Sequence, residues 1–195
     1  MTRSGQIDRE THETKIRVEV ELDGGSVTVS TGVPFFDHML DQLGRHSQMG
    51  LKIEAQGDLD IDAHHTVEDV GIALGEALTE ALGDKRGIRR YGDALVPMEE
   101  ALVQVALDIS GRPLLVYDAD FPAEAVGQYD TVLTEEFLQA LSRSAGLTLH
   151  VRLVSGRNAH HCVEAIFKSV ARALGDAVAL DPRAPDEVPS TKGVL

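Results

Sequence analysis

The chain has 195 residues, 43% of them hydrophobic, a single cysteine and a formal net charge of −14. That suffices for one domain with a real core, or two small ones fused, and it excludes an internal disulfide. The acidity disfavours a nucleic-acid or anionic-membrane surface, no apolar run approaches the ~20 residues of a membrane span, and the polar opening MTRSGQIDRETHETK lacks the apolar stretch of a secretory signal; a reducing cytoplasm is the expected setting.

Alternating and β-branched runs predict strands at 15–22 (KIRVEVEL) and 26–32. Helical spacing follows at 34–46, with Pro34 acceptable in a first turn, then a strand at 51–59 and a helix at 64–82. Strands at 94–99 and 101–109, a helix at 134–144, a strand at 147–155 and a helix at 160–178 complete the order. Displaced by 96 residues, Gly50-Leu51 falls on Gly146-Leu147, His64, His65, Val67 and Glu68 on His160, His161, Val163 and Glu164, and Ala77-Leu78 on Ala173-Leu174, with no gap from 50 to 82. Agreement of motif, spacing and element order points to an internal duplication. The expected fold is α+β, one domain over 1–195 made of similar halves at about 1–90 and 91–195, each a mainly antiparallel sheet with helices on one face.

The repeated element is His-His-x-x-Glu, in DAHHTVED (62–69) and NAHHCVEA (158–165), which together hold four of the eight histidines. Successive helical residues turn by about 100°, so adjacent histidines point in different directions, whereas His64 or His65 can share a face with Glu68. One helix therefore closes both histidines on a single ion with difficulty; two such helices can serve two ions. Imidazole with carboxylate and no thiolate suits Mn, Fe, Zn, Co or Ni and excludes a cysteine-based structural zinc site. The competing view is that the histidines cap helices or fill an interface, which two copies in register make the poorer account. Cys162 stands where the first copy has Thr66 and is expected only to pack. An acidic chain that binds an anion has to gather basic residues locally.

At this point the chain resembles the imidazoleglycerol-phosphate dehydratase family. The resemblance rests on HETK, TGVPFFDHMLDQLGRH, DAHHTVEDVGIALGEAL, GDKRGIRRYG, PMEEAL, DISGRP, TLHVRLVSGRNAHHCVEAIFK and the closing PSTKGVL, in the family's order. It implies a manganese-dependent hydro-lyase of histidine biosynthesis that converts imidazole glycerol phosphate to imidazole acetol phosphate. It also implies a homo-oligomer, usually 24 subunits built from trimers, with active sites at subunit contacts. Carried over by position, the metal ligands fall on His38, His64, His65, Glu68, His160, His161 and Glu164. Glu13 matches a glutamate that reaches the substrate and is a candidate proton carrier. Gln42 and His46 lie one and two turns beyond His38, and Lys168 one turn beyond the second motif; these are further substrate-binding candidates. Arg90, Arg112, Ser190 and Lys192 match the phosphate-binding group, although exposed arginines and a C-terminal lysine are by default solvated. Arginine supplies a planar fork of donors to phosphate and lysine a compact charge. Where most members have a further metal-binding histidine, 24 residues before His160, this chain has Glu136: either a carboxylate ligand or, like Glu135, an acid favoured by the dipole of a first helical turn.

The dehydration breaks a poorly acidic C–H bond and expels a hydroxyl from the neighbouring carbon. The expectation is two manganese ions per chain that stabilise an imidazolate form of the substrate, which pushes the hydroxyl out through a diazafulvene-like species, with Glu13, Glu68 or Glu164 moving the protons. A dinuclear hydrolase and a metal-storage shell are the rival readings; neither gives a use to the Arg/Lys/Ser set and the closing tail together.

Overall fold

A computed structural model of the chain describes residues 3–195. Its first half runs β1 (Ser4–Glu10), β2 (Thr14–Glu21), β3 (Val27–Ser30), α1 (Pro34–Ser47), β4 (Gly50–Gly57) and α2 (His64–Leu82). The second half runs β5 (Tyr91–Met98), β6 (Ala101–Asp108) and β7 (Leu114–Asp118), a short hairpin of β8 (Ala125–Val126) and β9 (Tyr129–Asp130), then α3 (Leu133–Ala145), β10 (Thr148–Ser155) and α4 (Ala159–Val178). Strand order is β1-β2-β4-β3 in one four-stranded sheet and β5-β6-β10-β7 in the other, the same order once the halves are matched. In each sheet two neighbouring pairs are antiparallel and the last is parallel, because a helix carries the chain from β3 to β4 and from β7 to β10. The fold is thus α+β and duplicated, with mixed sheets in which antiparallel pairs predominate.

Alternation buries one face of each sheet: on β2, Ile16, Val18 and Val20 face the helices while Lys15 and Arg17 face out. Helix α2 lies on β1 and β2, and α4 on β5 and β6; α1 packs against α4 and α2 against α3. The helices therefore form a layer between the two sheets. Its centre is aromatic, with Phe137 edge-on to Phe36 and stacked on Phe167 at centroid distances of 5.3 Å in both contacts. These fully buried rings tie the halves together, each contributing about 1.5–3 kcal/mol of burial.

Three features depart from expectation. Strand β1 lies in the opening segment that reads as merely polar, since its inward face offers Gly5, the half-buried Ile7 and Arg9, which pairs with the buried Asp69 of α2. Strand β7 and the β8–β9 hairpin also went unmarked; β7 exposes Leu114 and Val116, leaving no clean alternation to read. Finally, the strands match at a displacement of 98 rather than 96. Gly50 pairs with Glu21 and Thr148 with Asp108, so Gly50 corresponds to Thr148, while Gly146 corresponds to Gln48, each the left-handed residue that closes α1 or α3. Helices α2 and α4 keep the displacement of 96, and the connections preceding them absorb the two-residue difference.

Candidate active site

Both His-His motifs open their helices, and in each a side-chain oxygen, at positions 96 residues apart, accepts the N–H of the first histidine. Asp62 Oδ1 accepts the His64 N–H at 2.7 Å, and Asn158 Oδ1 accepts the His160 N–H at 2.9 Å. The rings of each pair diverge, at 89° for His64 and His65 and 81° for His160 and His161. His64 turns along its own helix, with Nε2 3.8 Å from Glu68, whereas His65 Nδ1 meets Asp58 at 2.9 Å and Glu13 at 3.8 Å. His160 Nε2 lies 3.1 Å from Glu164, whereas His161 Nδ1 meets Glu100 at 2.8 Å. The first histidine of each motif thus faces its own glutamate and the second faces a carboxylate from elsewhere in the chain.

Helix α1 adds His38, whose Nε2 lies 3.6 Å from Glu164 Oε2, the oxygen that His160 also faces. Ligand atoms of His38, His160 and Glu164 all lie within 4.8 Å of one another. Neighbouring ligands on an octahedral ion with bonds of about 2.1 Å stand roughly 3 Å apart, so the donor set and its spacing fit such an ion. Glu164 is buried, and the other carboxylate oxygen is held by Lys168 Nζ at 2.6 Å. Burial alone would raise the Glu164 carboxyl, but the hydrogen bond and charge of Lys168, aided by His38 and His160, hold it below its ordinary value as a ready anion. A turn or two further along the same pair of helices, Gln42 Oε1 lies 3.1 Å from His46 Nε2. Burial, then the charges of Lys168 and Arg172, lower the pKa of His46.

The carboxylates opposite the second histidines are Asp58 and Glu100, residues that sequence reasoning missed. Hydrogen bonds draw Glu100 down to about 2, first that from His161, then those from the backbone N–H groups of Arg157, Glu100 itself and Asn158. The hydrogen bond to Asp58 raises His65 above its ordinary value, with Glu13 adding to it. The motif PMEEAL contains Glu100, but nothing in its spacing ties that residue to a histidine 61 positions away. Cys162 is buried against Gly156, consistent with packing alone.

The basic candidates gather elsewhere. Arg90, in a left-handed conformation at φ 74°, grips Asp108 through two nitrogens at 2.7 and 3.1 Å and donates to the Pro189 carbonyl at 2.8 Å. Arg112 Nη2 approaches the same Asp108 at 4.0 Å, and Ser190 Oγ accepts the Lys192 N–H at 3.2 Å. Arg90, Arg112 and the tail around Ser190 are therefore neighbours, but at the far end of β6 from Glu100. At about 3.3 Å per residue the strand separates those ends by roughly 25 Å. Helix α4 runs the same course, from His161 beside Glu100 to Ala177, whose carbonyl accepts the Arg90 N–H at 2.9 Å. The metal-ligand candidates and the phosphate candidates of one chain are not brought together.

Glu136 sits half-buried in the first turn of α3. The displacement of 98 that matches Gln48 to Gly146 lays it on His38. Val132 and Leu133, just before it, line a cavity of about 410 Å³ with His64. No helix among the described residues is long and apolar enough to cross a membrane.

A family model described as imidazoleglycerol-phosphate dehydratase matches residues 31–174. The chain is 61% identical over 194 residues to the imidazoleglycerol-phosphate dehydratase of Symbiobacterium thermophilum, covering 99% of this chain and 93% of the relative. Against that of Paracoccus denitrificans it is 60% identical, covering 99% and 100%. Two crystal structures are similar. Staphylococcus aureus imidazoleglycerol-phosphate dehydratase matches at TM-score 0.84 with 42% identity, over 91% of this chain and 99% of that one. The Pyrococcus furiosus enzyme in complex with (S)-C348 matches at TM-score 0.85 with 39% identity, over 97% and 100%.

Proposed function

The chain belongs to the imidazoleglycerol-phosphate dehydratase family, hydro-lyases of histidine biosynthesis, and from that premise we propose a metal-assisted dehydration of D-erythro-imidazole glycerol phosphate to imidazole acetol phosphate. The observation that carries it is the convergence of His38 and His160 on one oxygen of the buried Glu164. These three would hold one manganese ion. His64 and Glu68 would hold a second, with Glu136 in the duplicated place of His38, while His65 and His161 offer their Nε2 atoms. Held by these residues, manganese would supply Lewis acidity that lowers the pKa of the substrate's imidazole ring.

The chain's own residues do the rest. The product carries its ketone on the middle carbon, so the hydroxyl leaves the carbon bonded to the ring and the proton leaves its neighbour, giving an enol that becomes the ketone. Glu13, with half its side chain exposed beside His65, is the group to move that proton. Glu164, engaged by Lys168 and two imidazoles, is a ligand rather than a proton carrier; Glu68, more exposed, can serve as either. Gln42, His46 and Lys168 line the way from His38 and orient the substrate. Arg90, Arg112, Ser190 and Lys192 receive its phosphate and fix the reacting carbons in place.

Three carbons separate ring from phosphate in the substrate, far less than the roughly 25 Å between the two ends of β6. The metal end of one subunit would therefore meet the phosphate end of another, which accords with a homo-oligomer, 24 subunits built from trimers. Each subunit is one domain of two halves divided near residue 90, in a cytoplasmic enzyme. Incubating the manganese-loaded protein with imidazole glycerol phosphate should release a carbonyl product; release of inorganic phosphate, or no reaction, would overturn the proposal.

A further inference from the structure

Matching the sheets gives Glu100 a counterpart. Strand β2 falls on β6 with Glu21 on Asp108 and Thr14 on Ala101, so Glu13 falls on Glu100. Each glutamate immediately precedes the second strand of its sheet and faces the second histidine of the corresponding motif. In the first half Asp58 takes Nδ1 of His65 at 2.9 Å, and Glu13 remains 3.8 Å away with 53% of its side chain exposed. In the second half Glu100 takes Nδ1 of His161 through Oε2 at 2.8 Å. Its Oε1 accepts the N–H groups of Arg157 at 3.0 Å and Asn158 at 2.8 Å, which ties it into the loop that leads to α4. The same position has thus diverged: locked in one half, free in the other.

An ionised carboxylate only accepts hydrogen bonds, so the nitrogen facing it carries the proton and the opposite ring nitrogen keeps its lone pair. We propose that Asp58 and Glu100 are positioning residues: each fixes its histidine as the Nδ1–H tautomer and presents Nε2 as a metal ligand, leaving Glu13 available for proton transfer. The proposal rests on the metal-centre reading above. Glu100 never touches the substrate; it acts through His161, as outer carboxylates behind metal-binding histidines do.

Glu100→Gln separates this role from that of a loop anchor. The amide oxygen has to face the two backbone N–H groups, because an NH₂ group there would meet two donors. The NH₂ then faces His161 Nδ1, which becomes an acceptor and moves the ring proton to Nε2, where it blocks a ligand. The variant should keep the melting temperature of the metal-free protein, yet bind manganese alone about 10–100-fold more weakly at one site and show an altered spectrum of the bound ion by electron paramagnetic resonance. Affinity and spectrum equal to those of the unaltered protein would overturn the positioning role. His161→Ala, titrated alongside, distinguishes the two failures. Loss of one site in His161→Ala with none in Glu100→Gln removes only the positioning role; full binding by His161→Ala removes the ligand assignment and the positioning role with it.

Discussion

Gly92 lies so close to Ala173 that a Cβ at that glycine would stand 1.8 Å from the Ala173 carbonyl oxygen. The first half repeats the contact, with Gly5 against the Ala77 carbonyl at 2.1 Å, and Ala77 and Ala173 are the same position of α2 and α4. Each glycine lets a helix that carries a His-His motif settle onto its sheet. The obstacle is helix backbone, which cannot rotate aside as a side chain can. Gly92→Ala and Gly5→Ala should each destabilise the fold by about 1–3 kcal/mol or more, read from the denaturant midpoint at constant m. A neutral result for either would mean that the helix rides freely over its sheet.

Metal content is the next expectation. The protein should hold about two manganese ions per chain, and His160→Ala and His64→Ala should each lose close to one by elemental analysis. One ion per chain at full activity would sink the two-centre proposal. Glu136→Ala should behave like His38→Ala, since the duplication lays one position on the other, whereas Glu135→Ala should keep full metal and turnover. Full metal in Glu136→Ala would leave that glutamate as an ordinary first-turn acid.

The tail should matter for substrate and not for metal. Arg90 holds the Pro189 carbonyl at 2.8 Å, which sets Ser190 and Lys192 beside the arginines. Truncation after Val188 should raise KM by at least tenfold with unchanged manganese content. Arg90→Ala should do the same, because it removes both a phosphate donor and the tether. Unaltered KM in the truncated enzyme would show the tail to be a bystander.

His46 should impose a pH dependence of known sign. Its folded pKa is lowered, first by burial and then by Lys168 and Arg172, from the ordinary value of 6.5. Above that value the ring is neutral in both states and contributes no pH dependence. As pH falls through 6.5 the unfolded chain takes up the proton first, so stability declines until the lower folded pKa is passed. His46→Gln, compared with the unaltered protein in the presence of chelator, should lose less melting temperature between pH 7 and pH 5. A parallel decline in both would remove His46 as the cause.

Local pattern alone determined much of this protein. Helical period and strand alternation mark all four helices and six of the strands, and the recurrence of His-His-x-x-Glu marks the duplication; the divergence of adjacent rings follows from the fixed turn of a helix. Tertiary structure decided the rest. Strand β1, with Gly5, Ile7 and Arg9 as its inward face, is placed by its pairing with β2 and by α2 lying over it. Glu100 reaches His161 across 61 positions, and Asp58 reaches His65 from the connection before α2, contacts set by sheet registration and invisible to periodicity. Registration likewise matches Gly50 to Thr148, although a matching Gly-Leu pair elsewhere suggests otherwise. The distance between His161 and Arg90 is likewise tertiary: a strand and a helix, both about 25 Å long, hold the two ends of the chemistry apart within each chain.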